Sequence, residues 1–207
     1  MDQTERAIAI GSVLRADIRG FVVASRLTEP EVPTYGTFVR APIQQGQAYL
    51  VGLIHDITLQ DDPFLRNLAV TVVDDDPQYR EIIRDQRENR AIPVEIAVAA
   101  VGYTYTDSGS YLYGFPPQPP MVLHRITVCP AEEIRQITAS PEFMRALLDN
   151  RDVQSDELIP VALRRAAELQ PSDTRESYLL EAGRYLARYM GRDPVRLDRV
   201  LRQIALP

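Results

Sequence analysis

A chain of 207 residues with 45% apolar residues carries enough hydrophobic mass for a packed core, which excludes wholesale disorder. All 23 basic residues are arginine, so a phosphate-loop lysine, a Schiff-base lysine and a lysine general base are excluded. The formal net charge of −6 argues against non-specific nucleic-acid binding by charge alone. No run of about 18 apolar residues offers a membrane span. Cys129 is the single cysteine, so no internal disulfide can form. The opening residues Met1 to Arg6 lack a basic stretch leading into an apolar one, and the expected location is the cytoplasm.

From Ile8 to Gln60 four short apolar runs alternate with turn chemistry. The runs are Ile8 to Arg15, Gly20 to Ser25, Tyr35 to Arg40 and Ala48 to Thr58. The turns are Asp17 to Gly20, Glu29-Pro30 with Pro33, and Gln44 to Gly46. Strands of this length between Gly and Pro punctuation predict a small antiparallel barrel. Asp62-Pro63 then opens a short helical piece, and Leu68 to Val73 reads as extended. Asp76-Pro77 opens a helix inserted near residues 77–89, since Asp before Pro gives an N-cap followed by a favoured first helical residue.

Pro93 to Thr106 is the clearest strand, rich in β-branched and aromatic residues. Asp107 to Ser110 turns it into Tyr111 to Phe115 as a hairpin. The segment Phe115-Pro116-Pro117-Gln118-Pro119-Pro120 must be extended and cannot pair as a central strand. Met121 to Val128 is the last strand, for a barrel of about six strands from residue 7 to 128.

From Pro130 the period becomes helical. Ala131 to Thr138 forms a short helix, and Ser140-Pro141 starts the next, with Phe143, Met144, Leu147 and Leu148 as its stripe. Ser155 begins a third, through about Leu169, whose true start Pro160 is expected to delay. Asp173 with Glu176 reads as a capping box for the longest helix, which Gly191 ends. Asp193-Pro194 starts the last. The predicted buried positions are Leu147, Leu163, Leu179, Leu186, Val200 and Leu201. The predicted class is therefore α+β, an N-terminal small antiparallel β-barrel with an inserted helix (1–138) followed by a C-terminal helical unit (139–207).

A family resemblance rests on an ordered series of Gly, Pro and apolar positions. The series runs Ile10-Gly11-Ser12-Val13, Val32-Pro33 with Tyr35-Gly36-Thr37-Phe38-Val39, and Val51-Gly52-Leu53-Ile54. After the helical insertion come Ala99-Ala100-Val101-Gly102, the Pro-rich Phe115 to Pro120, and Val128 with Ala131-Glu132-Glu133-Ile134. Over residues 7 to 138 the chain resembles the HAS-barrel, the N-terminal β-barrel shared by HerA-type DNA-translocating ATPases and rotary ATP synthase subunits. In a HerA-type ATPase a motor with a phosphate loop follows the barrel. Here about 70 mostly helical residues follow, with no Gly-x-x-x-x-Gly-Lys-Ser/Thr. The resemblance therefore implies a barrel without its motor, and no catalytic residue carries over.

The residues that could bear chemistry each have a plainer reading. His55-Asp56 and His124 lie in strand-like runs and lack the further ligands that a metal site needs. Cys129 near His124 shows no nucleophile elbow or oxyanion hole and reads as a small buried thiol. Asp61-Asp62 and Asp74-Asp75-Asp76 precede prolines at helix starts, where carboxylates serve cap and dipole. Arg184, Arg188, Arg192, Arg196, Arg199 and Arg202 recur every three or four positions across the last two helices. They are the best candidates for contact with an acidic partner or a nucleic-acid backbone, the alternative being a solvated face. Tyr178, Tyr185 and Tyr189 nearby read as packing.

The leading functional expectation is a non-enzymatic assembly or adaptor module. Its partner would be a protein, such as a HerA-type ATPase or nuclease, because in that family the barrel lines one end of a ring and docks a partner nuclease. Weak self-association is expected through an irregular edge at Val32, Pro33, Gly36 and Val39. The first alternative is a nucleic-acid-binding small barrel with a basic helical arm, against which residues 1–128 carry 11 arginines and 16 acidic residues. The second is an enzyme of unrecognised type, with Tyr103, Tyr105, Tyr111 and Tyr113 lining a pocket, although cross-strand tyrosines ordinarily pack. No metal, cofactor or nucleotide hydrolysis is expected.

Overall fold

The computed structural model describes residues 8–27, 33–59 and 92–205. The helix expected near 77–89, the pieces expected between 62 and 73, both acidic clusters and Val32 lie outside the described residues.

Strands β1 (Ala9–Asp17) and β2 (Gly20–Leu27) form the first hairpin. Its turn is held by Asp17, whose Oδ1 accepts from the backbone N–H of Arg19 at 2.6 Å and of Gly20 at 3.1 Å. Strands β3 (Phe38–Ile43) and β4 (Ala48–Leu59) form the second, around a tight turn at Gln44–Gly46. The long strand β5 (Ile92–Tyr105) pairs with β4 along one side and with β2 along the other. The four-residue β7 (Arg125–Val128) bridges β1 and β3.

These pairings close a circuit of six antiparallel strands, β1–β2–β5–β4–β3–β7 and back to β1. Closure pairs the outer strands, so the circuit has no open edge. The two-residue β6 (Tyr111–Leu112) is a short flap on β5 outside it. The predicted α+β barrel with C-terminal helices is the observed architecture.

Period two along the strands creates two apolar faces. In β4, Leu50 and Ile54 enter the barrel interior, while Val51 and Leu53 face the helices. This is why β4 reads as an unbroken apolar run rather than an alternating one. Side chains of Ile10, Phe21, Val39, Ile43, Ile96 and Ile126 help fill the interior.

Among the described residues five helices follow the barrel: α1 (Ala131–Thr138), α2 (Phe143–Leu148), α3 (Ser155–Glu168), α4 (Arg175–Tyr189) and α5 (Pro194–Ile204); α2 lies against β5, and α4 and α5 pack on α3. Phe38 of β3 meets Phe143 of α2 with ring centroids 6.3 Å apart, so barrel and helices share one core. Helix α3 is central to it, burying Leu158, Ile159, Ala162, Leu163 and Ala166. Of the predicted core positions, Leu147, Leu163, Leu186 and Val200 are buried, and Leu179 and Leu201 are partly buried against them.

Helix α3 starts at Ser155 as expected, and Pro160 does not delay it, because its buried face outweighs one missing N–H in the second turn. Three expectations need correction. The Asp173–Glu176 capping box does not form. Thr174 is the N-cap without a side-chain cap bond, and Ser177 Oγ donates to the Thr174 carbonyl at 2.7 Å. Helix α4 closes at Met190, whose N–H donates to Leu186 O at 2.8 Å, and Gly191 does not adopt the left-handed conformation. The strand expected from Met121 begins only at Arg125. Met121 to His124 form a turn in which Leu123 takes φ +68°.

Candidate functional site

A cleft opens where the barrel mouth meets the helical layer. It has two lobes, of about 370 Å³ and 720 Å³, that share Arg19, Asn150 and Asp152. Cavities of roughly 300–1,000 Å³ suit small-molecule ligands. The smaller lobe lies between the β1–β2 turn, His55 of β4 and the middle of β5. The larger is bounded by Ala100, Gly114-Phe115, Arg145 and Ala146 of α2, and the loop from Asp149 to Asp152.

Local bonding fixes these walls. The Arg19 carbonyl accepts from Ala100 N–H at 2.8 Å, which pins the β1–β2 turn onto β5. Arg145 Nη2 donates to the Tyr113 carbonyl at 3.2 Å and so holds the segment before Phe115 against α2. Asn150 Oδ1 accepts from Asp152 N–H at 3.0 Å, which shapes the loop between α2 and α3.

The cleft is rich in charge. Arginines 15, 19, 145 and 151 face it, with Asp17, Asp149 and Asp152. Asp17 is already engaged by the turn amides, and Asp149 accepts from the Tyr189 hydroxyl. That hydrogen bond, ahead of burial, pushes the Tyr189 phenol up to about 12. Arg15 pairs with Glu95 at 2.9 Å. Among the described residues the Arg151 and Asp152 side chains have no ion-pair or hydrogen-bond partner. His55 is pushed below the usual imidazole range by burial, against the smaller opposing pull of Asp56 and Asp152.

The arginine series on the last two helices is not one surface of equivalent cations. Arg196 grips Asp156 at the start of α3, Nη2 to Oδ1 at 2.7 Å, and reaches Ser155 Oγ at 3.1 Å. It is a clamp between α5 and α3. Arg202 pairs with Asp198 one turn back at 2.8 Å. Arg184, Arg188, Arg192 and Arg199 are exposed.

The histidines are apart in role. His124 Nδ1 lies 3.1 Å from the Pro42 carbonyl, while His55 faces the cleft. Cys129 is buried, and burial first, then Glu133, pushes its thiol well up. The four tyrosines divide between the two cores: Tyr103 and Tyr105 pack edge-on beside the barrel interior, and Tyr111 and Tyr113 against the helical side.

The run expected to be an open edge is not one. Strand β3 is paired on both sides, and Val39 is 0% exposed inside the barrel. Gly36 is buried, and Pro33 is half-buried. The exposed apolar surface lies elsewhere. Met121, Val122 and Leu123 are 65%, 57% and 79% exposed, in sequence. Leu123 N–H donates to Val13 O at 2.8 Å and Val13 N–H to His124 O at 2.9 Å, beside a bulge between Val13 and Arg15 that leaves Leu14 exposed. Nothing in the sequence distinguished this rim from a strand, and nothing joined the cleft residues into a motif.

No protein-family model matches the chain, and the search of curated proteins gives no match.

Proposed function

We propose that this chain is a non-enzymatic assembly or adaptor module that docks onto a protein partner. The observation that carries this reading is the rim of Leu14, Met121, Val122 and Leu123. Large apolar side chains exposed together mark interaction surfaces more than isolated ones do. Their backbone is fixed by bonds on both sides of Val13, so docking would lose little conformational freedom there. The left-handed Leu123 supports the same view, since strain of this kind clusters at functional positions.

The resemblance to the HAS-barrel makes a HerA-type ATPase, or the nuclease that works with it, the favoured partner, in the cytoplasm. In this reading the chain does not hydrolyse nucleotides itself, since all its basic residues are arginine and no phosphate-loop lysine exists. Co-elution tests it. The chain mixed with a purified HerA-type ATPase from the same organism should migrate with the ring, and a Val122→Asp variant should migrate alone. Separate migration of the unmodified chain from both the ATPase and its nuclease would overturn the reading.

A further inference from the structure

We infer that the larger lobe of the cleft binds a nucleoside phosphate, with arginines on the phosphate, Asp152 and Asn150 on the sugar or base edge, and Phe115 against the ring. Three observations converge on this class.

The first is the origin of the cations. Arg19 comes from the β1–β2 turn, Arg145 from α2 and Arg151 from the following loop. Guanidinium groups arriving from three elements suit an oxyanion with several oxygens, because each fork can take two. Arg151 has no other partner among the described residues.

The second is the carboxylate beside them. A bare phosphate or a long polyanion gains nothing from Asp152 and is repelled by it. Hydroxyls and exocyclic amines donate to such a carboxylate, and Asn150 can serve either role. The lobe holds three arginines against Asp149 and Asp152, two of them loosely paired already, Arg19 with Asp17 at 3.8 Å and Arg145 with Glu142 at 3.9 Å, and the whole chain carries −6. That balance favours one compact anion with donor groups over a single strand laid along the surface.

The third is Phe115, which lines the lobe yet is 56% exposed. Gly114 precedes it, and Pro116 and Pro120, both buried, anchor the segment that follows. The backbone around Phe115 is thereby fixed, and its exposed ring offers a stacking face.

Calorimetric titration of the full chain with ADP, in low salt and without divalent metal, decides the matter. The expected dissociation constant is on the order of 100 µM, with ADP recovered intact. Arg151→Gln and Phe115→Ala each weaken it about ten-fold while the circular dichroism spectrum is unchanged, since both side chains are exposed. Asp152→Asn weakens ADP but leaves pyrophosphate binding equal or tighter. No heat at ~2 mM ADP overturns the proposal, as does pyrophosphate binding as tightly as ADP. A short oligothymidylate binding more tightly than ADP overturns it in favour of a single-strand surface.

Discussion

Arg40 Nη1 on β3 donates to Glu133 Oε2 on α1 at 3.1 Å, and this pair ties the barrel to the first helix. Glu133 is 7% exposed. The Arg40 guanidinium also sits 5.0 Å from the centre of the Tyr49 ring and reaches Thr127 Oγ1 at 3.4 Å. Around it, burial foremost and then Glu133 push up both the Tyr111 phenol and the Cys129 thiol. Removing one partner of such a pair strands the other charge. Arg40→Ala is expected to cost ~2–3 kcal/mol in urea unfolding, below the fully buried limit because Arg40 is partly exposed. Replacing both, as Arg40→Met with Glu133→Leu, should recover most of that loss.

Gly36 joins barrel and helices in a different way. Its φ is +75°, and a Cβ there would lie 2.5 Å from Val161 Cγ1 of α3. Next to it, Arg165 Nη2 of α3 donates to Thr34 Oγ1 at 2.6 Å and to the Tyr35 carbonyl at 3.1 Å. Gly36→Ala therefore meets both backbone strain and a clash, and should lower stability by ~2–3 kcal/mol. Adding Val161→Ala should relieve the clash and leave the backbone part, a difference visible in the thermal midpoint.

His55 should make stability depend on pH in one direction. Burial lowers its folded pKa, with Asp56 and Asp152 opposing. As pH falls through the unfolded value near 6.5, the unfolded chain takes up a proton that the folded chain resists. Stability from this group is thus full above that value. It declines as pH falls, and levels off below the folded pKa. Urea midpoints across this range should show the decline, and a His55→Gln variant should lose that component.

Self-association should be weak and should run through the apolar rim. A rim of four exposed apolar side chains supports a dissociation constant on the order of micromolar, not an obligate ring. Light scattering over a concentration series should show mass rising with concentration, and Leu123→Asp should suppress it. A strict monomer at ~100 µM would leave partner docking alone.

The fold was legible where local chemistry is self-sufficient. Helix α1 spans Ala131–Thr138 as its period predicts, and Asp193 caps α5 by accepting from Arg196 N–H at 3.0 Å. Strand runs were legible because β-branched side chains recur between turn residues. Closure was only partly so, since it depends on β2 reaching β5 across more than 70 positions, Gly20 to Ala99. The rim departs from the expected strand because Met121 to His124 has the composition of a strand, while its backbone bonds to Val13 beside the β1 bulge hold it as a turn. The cleft left no local trace at all. Arg19, Arg145 and Asp152 come to line one lobe only through tertiary packing, and of the arginines that recur on α4 and α5, Arg196 clamps α3 while Arg202 pairs with Asp198 on its own exposed helix face.

The most direct measurement is fluorescence anisotropy of the labelled chain titrated with a purified HerA-type ATPase from the same organism. The account predicts saturable binding on the order of micromolar, weakened at least ~10-fold by Leu123→Asp. A second exposed apolar residue on another element, Leu180→Asp on α4, should leave it unchanged. Binding that ignores Leu123→Asp, or that falls equally with Leu180→Asp, would contradict docking through the rim.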